Sequence, residues 1–459
     1  MEFGDLDVGP APQLPREAYA ARRRRLARDM GDGNALVIAT HTMKQFSNDV
    51  DYPYRPHSDF WYLTGFGEPG AALVLEGGSG RTTLFLRDRK KEAEIWTGRR
   101  LGVARAPGVL GVDKAHPIEE IGDRLPGLLK GHKRIHGIAK HDPWVQLRLA
   151  RAAGRRLVAD KGAPKVGGPE SALINKGKRD PPPAHARALL HAQRLVKEPA
   201  ELKMLKVACD LGVEAHLQAA PGIRAGRREF SVEADFVHHA RTHGSTGVGY
   251  PSICGCGPNA AVLHYVTNQD KLAKGHLFLI DAGCEWGWYT SDITRTYPVG
   301  GEFSRMQGDL YDLVAAAHKA GLREVRPGNE FRAPHKAAVD TIAAGLLDLG
   351  LLEGSFESAV KEQTYRRYFM HGTSHWLGLD VHDAGGPTEA DGSPRKLREG
   401  MCLTVEPGLY FNPDFAPCPP GTVGIGIRIE DDVAVGPDGP RNLTRRLPSE
   451  RDAVASLVG

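Results

Sequence analysis

Four carboxylates and one imidazole stand in the order Asp281, Asp292, His375, Glu406 and Glu430, each inside a short, strongly patterned segment of the C-terminal half. Such a set is too anionic for a dry core and too poor in nitrogen and sulfur for a structural zinc. It suits a pair of hard or borderline divalent cations that share bridging carboxylates. If the five converge, the chemistry on offer is two-metal hydrolysis.

The segments themselves say how the side chains are to be positioned. HLFLIDAG reads as a buried strand ending in Asp281, and SDITRTYPV as a second strand starting near Asp292, with CEWGWYT between them. A two-residue turn on Trp286-Gly287 places Asp281 directly opposite Asp292, a like-charge pair that only a cation makes tolerable. A longer turn shifts that pairing. In MCLTVEPGLY and VGIGIRIEDD the aliphatic residues alternate with Glu406 and Glu430, so both glutamates leave the apolar face. Arg428 shares the face of Glu430 and is placed to orient its carboxylate. His375 lies in FMHGTSHWLGLDVHDAGG with His371 and His382, where one histidine completes the ligand set and the others are free for substrate contact or proton transfer. A single acid at a strand end is ordinarily a cap or a surface ion pair. The four acids argue for a site only together.

At 459 residues the chain exceeds one ordinary core, so two domains are expected. Residues 1–20 read as a leader. Alternating strand and helix patterns over 21–175 give a compact α/β unit, in which DFWYLTGF, AALVLE and TTLFLRD read as strands and IEEIGDRLPGLLKG as a helix. Residues 176–198 read as a linker, since NKGKRDPPPA carries three consecutive prolines that neither a helix interior nor a central strand accepts. Over 199–459 the pattern is helix pair, strands, helix pair, strands, an approximate duplication opened by Pro199 in a first helical turn. The fold class is therefore α/β (α+β).

Composition excludes several classes. A net charge of +4, from 60 basic and 56 acidic residues, gives no reason to expect a nucleic-acid partner. The basic run Arg22 to Arg25 reads as the solvated face of a first helix. No apolar stretch reaches the roughly 20 residues that span a bilayer, and Met1 to Pro15 has no hydrophobic signal core, so no membrane association and a cytoplasmic location are expected. Six cysteines do not make a disulfide framework, and the C-x-C of Cys254 and Cys256 lacks a second Cys/His pair for zinc, so reduced thiols are expected. GGSG and GCGPNA lack the strand, G-x-G-x-x-G, helix context of a nucleotide binder.

The strings HLFLIDAGCEWGWYTSDITRTYPV, FMHGTSHWLGLDVHD, LTVEPGLY and GIGIRIEDD resemble the pita-bread metallopeptidases, most closely the aminopeptidase P family. YRPHSDFWYLTGFGEPGAALVL and AEIWTGRRLG resemble that family's N-terminal domain, and KEPAELKMLKVA its entry to the catalytic domain. The resemblance implies a pita-bread catalytic domain preceded by a smaller α/β domain. It implies that Asp281 and Asp292 chelate one metal ion, that His375 and Glu406 bind a second, and that Asp292 and Glu430 bridge them. Manganese is the implied metal, with cobalt or zinc as substitutes. His264 and His382 match catalytic histidines, His371 and Arg428 residues around substrate and metals, and Tyr250 a tyrosine that bonds a metal-ligating aspartate. Trp96 matches a pocket tryptophan donated across a subunit interface, which implies a homodimer or homotetramer. Two segments depart from the family pattern: the cysteines of PSICGCGPNA and the long basic connector SALINKGKRDPPPAHARALLHA.

The activity so implied is release of the first residue from peptides with proline second, with Glu406 as the proton acceptor. A proline amide lacks an N–H and has a ring-fixed φ, so it needs a pocket shaped for it. The rivals are an Xaa-Pro dipeptidase (prolidase) or a carboxypeptidase on the same scaffold, and a metal-free pita-bread binding protein that has lost its ligands.

Overall fold

The structure, a computed structural model, describes residues 13–158, 185–389 and 391–459. Most of the expected leader, and the Lys/Arg/Pro-rich stretch 175–184, lie outside the described residues. The described chain divides into two compact units, Gln13–Arg194 and Leu195–Gly459.

The first unit is built on a six-stranded sheet in the order Lys114–Pro117, Thr82–Leu86, Ala72–Glu76, Asn34–Ala39, Arg134–Ile138 and Leu157–Val158. Asn34–Ala39 runs antiparallel to Ala72–Glu76 and parallel to Arg134–Ile138. Ala35, Val37, Val74, Phe85 and Ile135 face the helices Ile121–Leu128 and Pro143–Ala153, whose Leu125, Val145 and Leu149 close that side of the core.

Two expectations fail here. DFWYLTGF is not a strand; Ser58–Thr64 is a helix whose seven residues are all buried. A helix enclosed on every side has no polar face, so its sequence shows no helical period and its aromatic content mimics a strand. Nor is the run Arg22 to Arg25 wholly solvated. Arg22 and Arg23 are 0% and 2% exposed on the helix Arg16–Met30. Arg23 donates from Nη1 to the Leu63 carbonyl (2.8 Å) and from Nη2 to those of Leu110 (3.1 Å) and Gly111 (2.6 Å), at the ends of two short helices. Arg22 donates to Tyr62 O at 3.3 Å and lies 4.1 Å from the centre of the Tyr62 ring. Helix C-termini expose carbonyls that need donors, and a guanidinium supplies several at once. Burial pushes Arg23 down to about 10, still cationic at neutral pH.

The second unit holds two helix pairs, Pro199–Ala219 with Glu229–Thr242 and Arg305–Arg323 with Ala333–Asp348. Pro199 occupies the first turn, and Glu198 and Glu201 form a reciprocal capping box. The strands make small antiparallel sheets. Leu277–Asp281 lies between Ile253–Cys256 and Thr294–Pro298, and Asp431–Val435 lies between Cys402–Val405 and Pro440–Asn442. A bridge between Thr294 and Glu430 ties the two sets of strands together. Cys254 and Cys256 are buried on Ile253–Cys256, where burial lifts both thiols, Cys256 to about 11; all six cysteines are free.

Lys197 and Asp383 form an ion pair at 2.9 Å with both side chains 1% exposed. Removing one partner strands the other charge, whereas removing both leaves an apolar contact. Asp383→Leu is expected to lower stability in urea titration by about 3–5 kcal/mol, and Lys197→Met combined with Asp383→Leu to recover most of that loss. A single variant as stable as the parent would contradict this reading of the pair.

Candidate metal centre

The hairpin carrying the two aspartates turns one residue later than a Trp286-Gly287 turn, which shifts every cross-strand partner by two. Trp286 pairs with Tyr289, so the loop is Gly287-Trp288, with φ of 59° and 70°. Positive φ at both central residues matches the primed turn that fits strand twist. In consequence Asp281 stands opposite Thr294 rather than Asp292. The aspartates still meet, because the backbone closes tightly at Gly283, where a Cβ would lie 1.8 Å from Ser291 O. The Tyr250 hydroxyl joins them, at 2.6 Å from Asp281 Oδ1 and 2.5 Å from Asp292 Oδ1.

His375 reaches the aspartates from a different segment. Its Nδ1 lies 3.1 Å from the Trp376 carbonyl, which can only accept, so Nδ1 carries the proton. Nε2 is thereby turned to Asp292 Oδ2 (3.2 Å) and Glu406 Oε1 (3.5 Å). Thr404 Oγ1 accepts from His375 N–H at 3.2 Å, and Glu406 N–H donates to Thr373 O at 2.9 Å, so strand pairing aligns the two segments. One ligand atom each from Asp292, His375 and Glu430 lies within 4.8 Å of the others. All five sequence-derived ligand candidates thus belong to one connected cluster.

Arg428 does not hold Glu430 directly. Its Nη2 donates to Asp281 Oδ2 at 2.6 Å, Nη1 to Tyr410 OH at 2.8 Å and Nε to Thr294 Oγ1 at 3.2 Å. Thr294 in turn donates to Glu430 Oε2 at 2.6 Å. Sharing a strand face with Glu430 gave Arg428 the right neighbourhood, but its length carries the guanidinium past that residue to a carboxylate 147 positions away. His371 lies beside this network, with Nε2 2.9 Å from Tyr410 OH and Nδ1 3.7 Å from Glu406 Oε2. The His382 ring is 4.2 Å from that of His375. His264 is exposed, near enough for its charge to disfavour protonation of His371 and His382. Trp96 is on the helix Lys91–Thr97 of the first unit and is 88% exposed.

Several residues that sequence reasoning passed over hold this cluster in place. Asp432 Oδ2 accepts from the Asp292 N–H at 3.0 Å and from the Cys209 thiol at 3.3 Å. Arg295, its side chain 0% exposed, donates to the Glu430 carbonyl (2.6 Å) and to Asp431 Oδ1 (2.7 Å). The only signal for Asp432 was its adjacency to Glu430 in IEDD. Thr294 and Tyr410 carried none beyond their place in the motifs.

The electrostatics of the cluster say which ligand chemistry it suits. Burial, then Asp281, lifts the Asp292 carboxyl; burial, then Asp292 and Glu406, lifts Glu430 well above the usual range. Burial lifts Glu406 to about 7 despite His375 and Arg428. Burial alone depresses His375, but its hydrogen bond to Asp292 and the charge of Glu406 outweigh that and raise it to about 9. Four carboxylates enclosed with one guanidinium and one imidazole repel each other in a poor dielectric. Oxygen-rich, anionic and held by outer hydrogen bonds, the donor set fits divalent cations.

Comparison with known proteins agrees with this donor set. The model of metallopeptidase family M24 matches residues 203–437, and that of the aminopeptidase P N-terminal domain matches residues 19–136. An Xaa-Pro aminopeptidase of Haemophilus influenzae is 38% identical over 455 residues, spanning 99% of this chain and 100% of its own. The solved proline aminopeptidase P II from Yersinia pestis aligns with a TM-score of 0.87 at 37% identity, covering 97% of this chain and 99% of its own. Zinc-substituted Escherichia coli aminopeptidase P in complex with product aligns with a TM-score of 0.87 at 36% identity, covering 97% and 98%. With the metal-type cluster inside the region matched by one model and the sheet unit matched by the other, the chain belongs to metallopeptidase family M24, as a pita-bread metallo-exopeptidase preceded by an aminopeptidase P N-terminal domain.

Proposed function

We propose that this chain is an Xaa-Pro aminopeptidase, releasing the first residue from peptides whose second residue is proline. The observation that carries the reading is the cluster of Asp281, Asp292, His375, Glu406 and Glu430, braced by Tyr250 and Arg428, in a chain matched end to end by enzymes of that name. Asp281 and Asp292 would hold one divalent ion, His375 and Glu406 a second, with Asp292 and Glu430 shared between them. Manganese is the proposed metal, since hard oxygen donors outnumber nitrogen; cobalt and zinc suit the same set. Ions bound there supply Lewis-acid polarisation of the scissile carbonyl and a water of lowered pKa.

The protein's own groups do the rest. Glu406, half turned to the open side of the cluster with its side chain 17% exposed, takes the proton of the attacking water. His264 and His382 donate hydrogen bonds to the oxyanion that forms at the carbonyl carbon. The departing proline nitrogen receives a proton from a carboxyl or imidazole acid. Tyr250 and Arg428 keep the aspartates in fixed rotamers, and His371 with Tyr410 lines the substrate side.

Further parts of the reading rest on less. The exposed Ile95 and Trp96 (80% and 88%) suit a pocket element given to a second copy, which supports a homodimer or homotetramer. Cytoplasmic residence is proposed on the six free thiols; among the described residues no helix is long and apolar enough to cross a membrane.

The test is mass spectrometry of products from Xaa-Pro-Yaa tripeptides, Xaa-Pro dipeptides and longer proline peptides, with manganese and with chelator. Loss of a single N-terminal residue from the tripeptides, abolished by chelator, is the expected result. Cleavage confined to dipeptides would make it a dipeptidase, and shortening from the other end a carboxypeptidase.

A further inference from the structure

Three imidazoles meet in the first unit, apart from the carboxylate cluster and unused by the hydrolysis described above. His41 follows the strand Asn34–Ala39, His57 precedes the helix Ser58–Thr64, and His141 follows the strand Arg134–Ile138. The two strands run parallel with Ile38 opposite Ile138, so His41 and His141 each stand three residues beyond a paired position. Topology thus delivers both to the carboxyl ends of neighbouring strands, where open α/β sheets commonly bind ligands. Local bonds hold the second histidine and the loop of the third. Thr40 Oγ1 accepts from the His57 N–H at 3.2 Å, and Asp142 Oδ1 accepts from Trp144 and Val145 N–H at 3.0 Å, fixing the turn after His141. Ring centroids are 4.4 Å apart for His57 and His141, 4.7 Å for His41 and His141, and 5.2 Å for His41 and His57. One ring nitrogen from each lies within 4.8 Å of the others.

We propose that His41, His57 and His141 form a second, separate metal site, selective for a borderline transition-metal ion such as Zn2+. An all-nitrogen donor set favours zinc, nickel and copper over the hard ions that suit the carboxylate cluster. His41 Nδ1 lies 3.1 Å from the Arg55 carbonyl, which can only accept, so the proton is on Nδ1 and the lone pair on Nε2. A backbone carbonyl on the far nitrogen is the usual way a ligating histidine is oriented. Tetrahedral Zn–N bonds of about 2.0–2.1 Å put ligand nitrogens about 3.3 Å apart, so the rings need to approach by no more than about 1.5 Å, shared among three side chains. His141 is exposed, which leaves the fourth position to water or to a small exogenous ligand. Arg187 and Lys140 add positive charge nearby, and Asp59 opposes it, its charge acting on both His57 and His141. That carboxylate is fixed by Arg194 at 2.6 Å and His191 at 3.1 Å.

The experiment uses tag-free full-length protein loaded with Mn2+ and then equilibrated with micromolar free Zn2+. Zinc per chain is counted by inductively coupled plasma mass spectrometry for the parent, His141→Ala and His141→Asn. The expected result is one zinc fewer per chain in both variants, with manganese-supported peptide hydrolysis unchanged. The comparison is a difference between proteins, so zinc exchanging into the carboxylate cluster cancels. Zinc is also expected to raise the melting temperature of the parent and not of the variants. An equal zinc count in parent and folded variants would overturn the proposal and leave the three rings as a packing cluster.

Discussion

Glu406→Ala is expected to lower kcat for an Xaa-Pro tripeptide by at least roughly 10³-fold while leaving the fold intact, because it removes a proton acceptor and a metal ligand together. The geometry behind this is specific. Glu406 Oε1 lies 3.5 Å from His375 Nε2, and Oε2 lies 3.7 Å from His371 Nδ1, so the carboxylate stands between the two imidazoles. Its backbone is held independently, by the bond from Glu406 N–H to Thr373 O. Truncation beyond Cβ therefore empties the site without unpicking the strand. Glu406→Gln keeps the shape and loses the basicity, so it is expected to fall nearly as far in kcat with a smaller change in KM. Steady-state kinetics with saturating manganese, alongside circular dichroism, makes the measurement. If Glu406→Ala turned over at close to the parental rate, the assignment of this residue would be wrong, and with it the proposed path of the proton.

Asp292 yields the second large effect, and its sign depends on whether metal is present. Asp292 sits with Asp281 on one tyrosine hydroxyl and shares a three-residue ligand group with His375 and Glu430. Without cations, its charge adds to the repulsion that lifts Glu430. Asparagine keeps the Oδ1 acceptor for Tyr250 and removes the carboxylate whose hydrogen bond holds the second proton on His375, so that Nε2 is left to accept from the amide NH2. In chelated protein, Asp292→Asn is expected to melt above the parent by about 3 °C or more, equivalent to about 1 kcal/mol or more. With manganese the order reverses. The parent gains stability by mass action, and the variant, lacking the shared ligand, does not respond over the same concentration range. Differential scanning calorimetry of both proteins, with chelator and along a manganese titration, reads both halves. A chelated variant that melts below the chelated parent would show that Asp292 is not under like-charge stress.

The histidine site proposed above behaves differently from this cluster. Its donors include no carboxylate and its rings meet edge to face for His41 with His57 and with His141, so the readout is metal content rather than catalysis.

How much of this was legible in the chain depends on the range over which each feature is decided. The types and order of the five ligand candidates, the ends of the strands that carry them, the helix start at Pro199 and the long helices follow from alternation, period and proline placement within a few residues. The shift of the hairpin to Gly287-Trp288 was not so decided, since left-handed backbone at a tryptophan is selected by strand twist and neighbouring packing. The target of Arg428, the burial of Arg22 and Arg23, and the enclosure of Ser58–Thr64 depend on atoms brought from distant parts of the chain. The same holds for the meeting of His41, His57 and His141, which no local spacing announces and which parallel strand pairing creates. By itself the amino-acid order determined which chemistry was available and on which elements. The tertiary structure decided which side chains meet, because long side chains and strand register answer to non-local contacts that no short window of residues contains.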